Sequence, residues 1–181
     1  CALPIFWRQL AEKEWSDSAA ITQWVTQSCD PAPAVSDDFV HGLRQAEHYF
    51  AGTDLAAIVR QLEQAKGDAW AQATAATLRQ RSPLMLHVVL RQIRSGRALS
   101  YAQNIYRERV MVHHCFHPDH LGRAPRSSEV IEGIRALVID KDQRPLWQPE
   151  RVEDVTPEMA EGFFAEVWRP GDHPLRQLLQ P

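Results

Sequence analysis

The densest group of chemically able side chains is His113, His114, Cys115, His117, Asp119 and His120. Zinc needs imidazole or thiolate ligands converging tetrahedrally, and His113 with His117, four residues apart, could share one helix face. The rest of the chain offers neither a HExxH pattern nor a second ligand pair at familiar spacing. Histidines near a helix C-terminus also complement the negative end of its dipole, and Pro118 would then stop the helix. No metal site is expected. Cys115 beside histidines has the composition of a thiolate nucleophile. A lone cysteine on a helix, however, more often packs as a small apolar group. Asp37-Asp38 and Glu153-Asp154 are paired carboxylates at helix starts, where acidic groups favour the dipole. No glycine-rich phosphate loop and no G-x-S-x-G elbow occurs, and the eight glycines fall singly as helix punctuation. The six tryptophans and six phenylalanines are mostly at core spacing. These residues assemble no catalytic set of their own.

The elements that must position them are helices. Phe6, Leu10 and Ala11 form a short stripe ending near Trp15, and Ser16 is placed to cap a helix carrying Ile21, Trp24 and Val25. Asp30-Pro31-Ala32-Pro33 interrupts the pattern, because proline lacks the donor and restrains its predecessor. Ser36 opens a helix with Phe39, Leu43, Ala46 and Phe50, closed by Gly52. Thr53 then caps another bearing Leu55, Ile58, Val59 and Leu62, and Gly67 breaks it. An alanine-rich helix follows with Trp70, Ala73 and Thr77 on one side.

Ser82-Pro83 is the clearest helix start, a capping hydroxyl followed by proline at the first helical position. Leu86, Val89, Leu90 and Ile93 read as its buried stripe, up to Gly96. Ser100 opens a long helix to about Cys115 or Phe116, and residues 117–128 read as loop. Glu129 to Asp140 is helical through Val130, Ile134, Leu137 and Val138. Pro145 and Pro149 hold an irregular strap around Trp147, and Thr156-Pro157 caps a last helix with Met159, Phe163 and Val167. The predicted fold is mainly α, with eight or nine short helices and almost no strand signal.

Composition narrows the partners. The 181 residues are 44% hydrophobic and 24% charged, with a net charge of −3. No basic excess exists to displace counterions, so nucleic acid is not the expected partner. Cys1, Cys29 and Cys115 give no paired framework, which predicts a reducing, cytoplasmic location. No apolar run reaches roughly 18 residues, so no membrane span is expected, and no charged leader with an apolar block is seen. The chain opens on Cys1 within five residues of an amphipathic segment. Residues 1–5 are accordingly expected to be a non-native artefact, and 6–181 the natural helical region.

Two segments carry a resemblance. Ser82-Pro83-Leu84-Met85-Leu86-His87-Val88-Val89-Leu90-Arg91-Gln92-Ile93 resembles the SPTSLKVTLRQL stretch of 3-hydroxyisobutyryl-CoA hydrolases. Glu132-Gly133-Ile134-Arg135-Ala136-Leu137-Val138-Ile139-Asp140-Lys141-Asp142-Gln143-Arg144-Pro145-Leu146-Trp147 is similar to their EGVRAxLIDKDxxPxW signature. The order of the other helices, the Trp15-Ser16-Asp17 turn and the His173-Pro174-Leu175 tail also resemble the C-terminal half of these proteins. They belong to the enoyl-CoA hydratase/isomerase (crotonase) superfamily.

The resemblance implies a mainly α piece of a crotonase-type fold whose βαβ spiral core is absent. In that family the core supplies the oxyanion-hole amides and the acids that activate water for acyl transfer. The expected function is therefore part of an enzyme that hydrolyses a short branched acyl-CoA thioester in valine catabolism. This part would complete the acyl-CoA pocket and a homo-oligomer interface, and would be inactive alone, with no catalytic residue of its own. Coenzyme A enters only as part of the substrate, with no other cofactor. The alternatives are an enoyl-CoA hydratase or isomerase fragment and a stand-alone helical interaction module.

The resemblance also assigns Lys141 to the CoA phosphates, where a flexible ammonium suits a mobile polyphosphate. A solvated lysine at a helix end is the competing reading. Arg135 is expected to act similarly or to bridge Glu132 or another carboxylate. Glu108 is expected in a structural ion pair, and Glu132-Gly133 in close packing. Leu84-Met85 departs from the family's small polar residues there. About nine extra residues within Pro118 to Ser127 take in most of the His117-Pro118-Asp119-His120 stretch, so the family offers no precedent for a metal there.

Overall fold

The computed structural model describes residues 3–12, 17–28, 34–169 and 171–179. Cys1, Lys13, Ser16, Cys29 and the Asp30–Pro33 break lie outside them. Among the described residues there are nine α-helices and no strand, as the periodicity predicts. The chain divides into two units, Cys1–His41 and Gly42–Pro181.

The first unit holds α1 (Leu3–Ala11), α2 (Ser18–Ser28) and the start of α3 (Asp37–Tyr49). Ser36 Oγ accepts from the Phe39 amide, as its position predicts. At α2 the Asp17 carboxylate accepts from the Ala20 amide at 2.9 Å.

The second unit contains α4 (Leu55–Gln64), α5 (Ala69–Arg79), α6 (Pro83–Gly96), α7 (Tyr101–Phe116), α8 (Glu129–Ile134) and α9 (Pro157–Glu161). Asp54, and not its neighbour Thr53, caps α4 through the Ala57 amide. Gly67 turns the chain with φ +90°, a region in which only glycine is unstrained, and Asp68 caps α5. Asp68 also receives Tyr49 Oη and Gln45 Nε2, so one carboxylate ties the end of α3 to the start of α5. Ile58, Leu62, Ala71, Ala75 and Tyr49 then bury against each other. The buried side of α5 is Ala71 and Ala75, while Ala73 and Thr77 face water.

Ser82 accepts from the Met85 amide, with Pro83 in the first turn of α6. Ser100 and Gln103 close a reciprocal capping box on α7. Leu84 and Val88 of α6, Met111 of α7, and Val155, Ala160 and Phe163 form the second core cluster. Each fully buried large aliphatic or aromatic contributes about 1.5–3 kcal/mol over its exposed state. Here the expected stripe of α6 is corrected. Val89 and Ile93 are 44% and 57% exposed, and Leu84 and Val88 take their place. The helix is apolar on both sides, and the segment 155–163 covers only one of them.

Residues 117–128, expected as loop, form two single turns of 3₁₀ helix, Asp119–Leu121 and Pro125–Ser127. The expected helix to Asp140 changes pitch at Arg135. A π-helical turn spans Arg135–Ile139, closed by the Asp140 amide donating to Arg135 O at 2.8 Å. Thr156 caps α9, which is shorter than expected and tightens into a 3₁₀ turn, Gly162–Phe164.

Candidate functional site

The heads of α6 and α8 are tied together by a buried carboxylate. Ser82 Oγ at the head of α6 donates to Glu129 Oε2 at the head of α8. Glu129 is buried and also takes Arg123 NH1 and the Gln148 amide, both at 3.2 Å on its other oxygen. One carboxylate thus joins α6, the 118–127 segment, α8 and the strap. The strap is fixed again where Trp147 Nε1 donates to Gln80 O at 3.3 Å. Gly133 explains the Glu-Gly pair: a Cβ there would lie 3.3 Å from the Trp147 ring. Close packing was the expected role, and the geometry agrees.

Around this junction lies a cleft of about 720 Å³ lined by Arg79, Arg123, Gln143, Leu146, Trp147 and Glu150, among others. Its arginines are already paired. Arg79 bridges Glu63 at 2.7 Å and Glu153 at 2.8 Å, holding the Glu153 carboxyl down at about 2. Arg123 is committed to Glu129.

Arg135 forms the bridge to Glu132 that was one of its two expected roles, with Nε–Oε2 3.0 Å and NH2–Oε1 2.8 Å. Its NH1 also donates to Asp140 at 2.6 Å and Asp142 at 2.8 Å, and NH2 to Arg144 O at 2.9 Å. These carboxylates raise the guanidinium pKa further above its ordinary value, and Arg135 holds Glu132 and Asp142 below theirs. Glu132 Oε1 additionally accepts from the Leu146 amide. Lys141 stands at the tip of this loop with φ +56°, exposed, and with no carboxylate partner among the described residues.

Beside the loop the surface is apolar. Leu137, Val138 and Ile139 are 54%, 62% and 68% exposed, while Ala136 is the residue of that turn that packs inward. The pattern predicted Leu137 and Val138 inside. The π turn and Ala136 account for the reversal.

The histidine group assembles as rings, not as ligands. His113 stacks on His117 with centroids 4.6 Å apart, and His114 meets His120 edge-on at 4.9 Å. His114 Nε2 lies 2.8 Å from Ala165 O, and His120 packs edge-on against Phe163. Neither buried nitrogen of His120 closes a hydrogen bond of good geometry, the Met159 backbone giving only a weak contact. His173, fully buried, stacks on Tyr106 at 3.4 Å, and its Nδ1 accepts from the Leu175 amide. Burial pushes the pKa of His113, His120 and His173 down. Among the described residues, no group of three or more His, Cys, Asp or Glu is arranged to hold a metal ion. Cys115 packs against the α6–α9 core, and burial raises its thiol pKa, the opposite of an activated thiolate. Glu108, expected in an ion pair, instead accepts from the neutral Gln92 amide at 3.1 Å.

The described helices thus surround a cleft beside Glu129 whose arginines are already engaged by carboxylates. Residues 2–164 match the family model described as enoyl-CoA hydratase/isomerase, and the chain belongs to that family. Over 118 residues it is 37% identical to 3-hydroxyisobutyryl-CoA hydrolase 1 of Arabidopsis thaliana, covering 65% of this chain and 29% of that protein. It is 29% identical over 159 residues to the mitochondrial 3-hydroxyisobutyryl-CoA hydrolase of Dictyostelium discoideum, covering 87% and 39%. The small ribosomal subunit protein mS47 of Arabidopsis is 28% identical over 166 residues, covering 90% and 39%. The chain thus spans well under half the length of these relatives. No described helix is long and apolar enough to cross a membrane.

Glu129 is the residue that sequence reasoning missed. Its only signal was a Ser-Glu pair at a helix start, which reads as an ordinary dipole contact.

Proposed function

We propose that the chain is the helical part of a CoA-thioester hydrolase acting on a short branched acyl group such as 3-hydroxyisobutyryl. It completes the acyl-CoA pocket and the subunit contacts of a homo-oligomer, and it has no turnover alone. The exposed run Leu137–Ile139, next to Lys141, which has no carboxylate partner among the described residues, is the observation that carries this reading. Consecutive large aliphatics in water are costly and call for a covering surface. A crotonase-type core is the covering element, since the hydrolase relatives extend well beyond the matched region. Lys141 then supplies the positive charge for the CoA phosphates, and Arg135 supports it. The nucleophilic water and oxyanion donors belong to the core.

The test is thiol release from 3-hydroxyisobutyryl-CoA, measured for the chain alone and for the chain co-expressed with the N-terminal part of the Arabidopsis hydrolase. Release is expected only for the pair. A chain that stays a monodisperse, cooperatively melting monomer and restores nothing would overturn the proposal. It would favour the second reading, a non-catalytic interaction module, to which the similarity with a ribosomal protein also points.

A further inference from the structure

Resting on the reading of Lys141 as the phosphate contact, we infer that Arg135 is its positioning residue: the guanidinium diverts Asp140 and Asp142 from Lys141 and fixes the loop that presents it. Lys141 lies between two aspartates in sequence, and in an unconstrained loop either carboxylate would pair with its ammonium. Here both are turned away, to Arg135 NH1 at 2.6 and 2.8 Å. The charge of Lys141 is therefore left facing solvent, free to attract an anion.

The same guanidinium sets the backbone. It donates to Arg144 O, while Asp142 Oδ1 accepts from the Arg144 amide and the Gln143 amide donates to Ala136 O. Between these ties, Lys141 and Gln143 hold φ of +56° and +57°, a region that L side chains seldom adopt unless the surroundings impose it. Glu132 completes the arrangement by anchoring Nε and NH2 and by accepting from the Leu146 amide.

Arginine is required by geometry. Three carboxylates and one carbonyl are met by a planar fork of five donors, which a lysine ammonium, with three donors on one atom, cannot reproduce. Because the guanidinium never deprotonates in the ordinary range, the arrangement is permanent and not a switch.

The experiment is an NMR titration of the whole chain with coenzyme A at millimolar concentration, with amide exchange measured across 140–146. The proteins compared are wild type, Lys141→Gln, Arg135→Lys and the triple variant Arg135→Gln/Asp140→Asn/Asp142→Asn. Lys141→Gln is expected to weaken binding about tenfold, the scale of one charge-assisted contact, with loop exchange unchanged. Arg135→Lys should weaken it at least as much and also accelerate exchange in the loop. The triple variant should regain most of that affinity, since neither aspartate flanking Lys141 remains to quench it, while its loop exchange stays fast. A merely structural arginine would give no such recovery. If Arg135→Lys binds coenzyme A as wild type does, or the triple variant recovers nothing, the inference is overturned. Absence of any coenzyme A shift in wild type would instead overturn the reading of Lys141 beneath it.

Discussion

Around Glu129 and Arg135 the chain is held by carboxylates meeting their donors, whereas around His113–His120 and His173 it is held by rings in contact. The first region gathers three separate stretches on two ionised side chains, with nearly every oxygen and nitrogen satisfied. The second packs imidazoles on Phe163, Tyr106 and Trp168, and leaves both nitrogens of His120 poorly satisfied. An ion cluster is sensitive to loss of one member, because the remainder is left buried and unpaired. A ring cluster tolerates truncation better but cannot accept a proton without bringing like charges together.

The comparison breaks most sharply at Glu129. Glu129→Ala should cost about 3 kcal/mol or more, because Arg123, Ser82 and the Gln148 amide all lose their acceptor. Urea denaturation of the pure chain reads it directly. A loss below about 1 kcal/mol would mean that the junction is not held by this carboxylate.

Acid should separate the two regions. His113, His120 and His173 have folded-state pKa values below the ordinary 6.5, mainly through burial. The unfolded chain therefore binds more protons below 6.5, so their contribution is whole above that pH and is lost as pH falls through the lowered values. Glu132, Asp142 and Glu153 are depressed instead, so their contribution persists until pH falls below the normal carboxylate range. Between about pH 7.5 and 5.5 the melting temperature should fall, with lower amide protection, relative to intrinsic exchange at each pH, at 113–121 and unchanged protection at 140–146. His120→Phe should shrink that fall. Equal loosening of both regions would remove the distinction.

The smallest effect is expected at the rim. Arg91 and Glu161 form an ion pair, but both side chains are largely exposed. Arg91→Met should change stability by no more than about 0.5 kcal/mol, less still in high salt. A larger loss would point to the packing of Arg91 over Phe164.

Local chemistry was legible wherever one residue decides it. Ser82-Pro83 and Ser100 mark helix starts because the cap and its amide lie within four residues. Thr53 and Asp54 are both competent caps, and sequence could not choose between them. On α6, Leu84 and Val88 compete with Val89 and Ile93, and only the docking of 155–163 selects the buried pair. The Glu132–Arg135 bridge was readable at i,i+3 spacing. The contacts to Asp140 and Asp142 were not, since they depend on the π turn and on two left-handed residues. Glu129 draws its partners from positions 82, 123 and 148, and no local pattern announces such a meeting.

The π turn at Arg135–Ile139 has a consequence for how this region tolerates changes of length. It contains one residue more per turn than an α-helix, and that surplus sets the angular offset between Arg135 and the loop after it. Removing a single residue from 136–139 would let the helix relax to ordinary pitch and swing everything downstream by about 100°. Asp140 and Asp142 would then point away from the guanidinium, although no charged residue had been altered. A one-residue deletion in this short stretch should therefore be as disruptive as loss of the arginine itself.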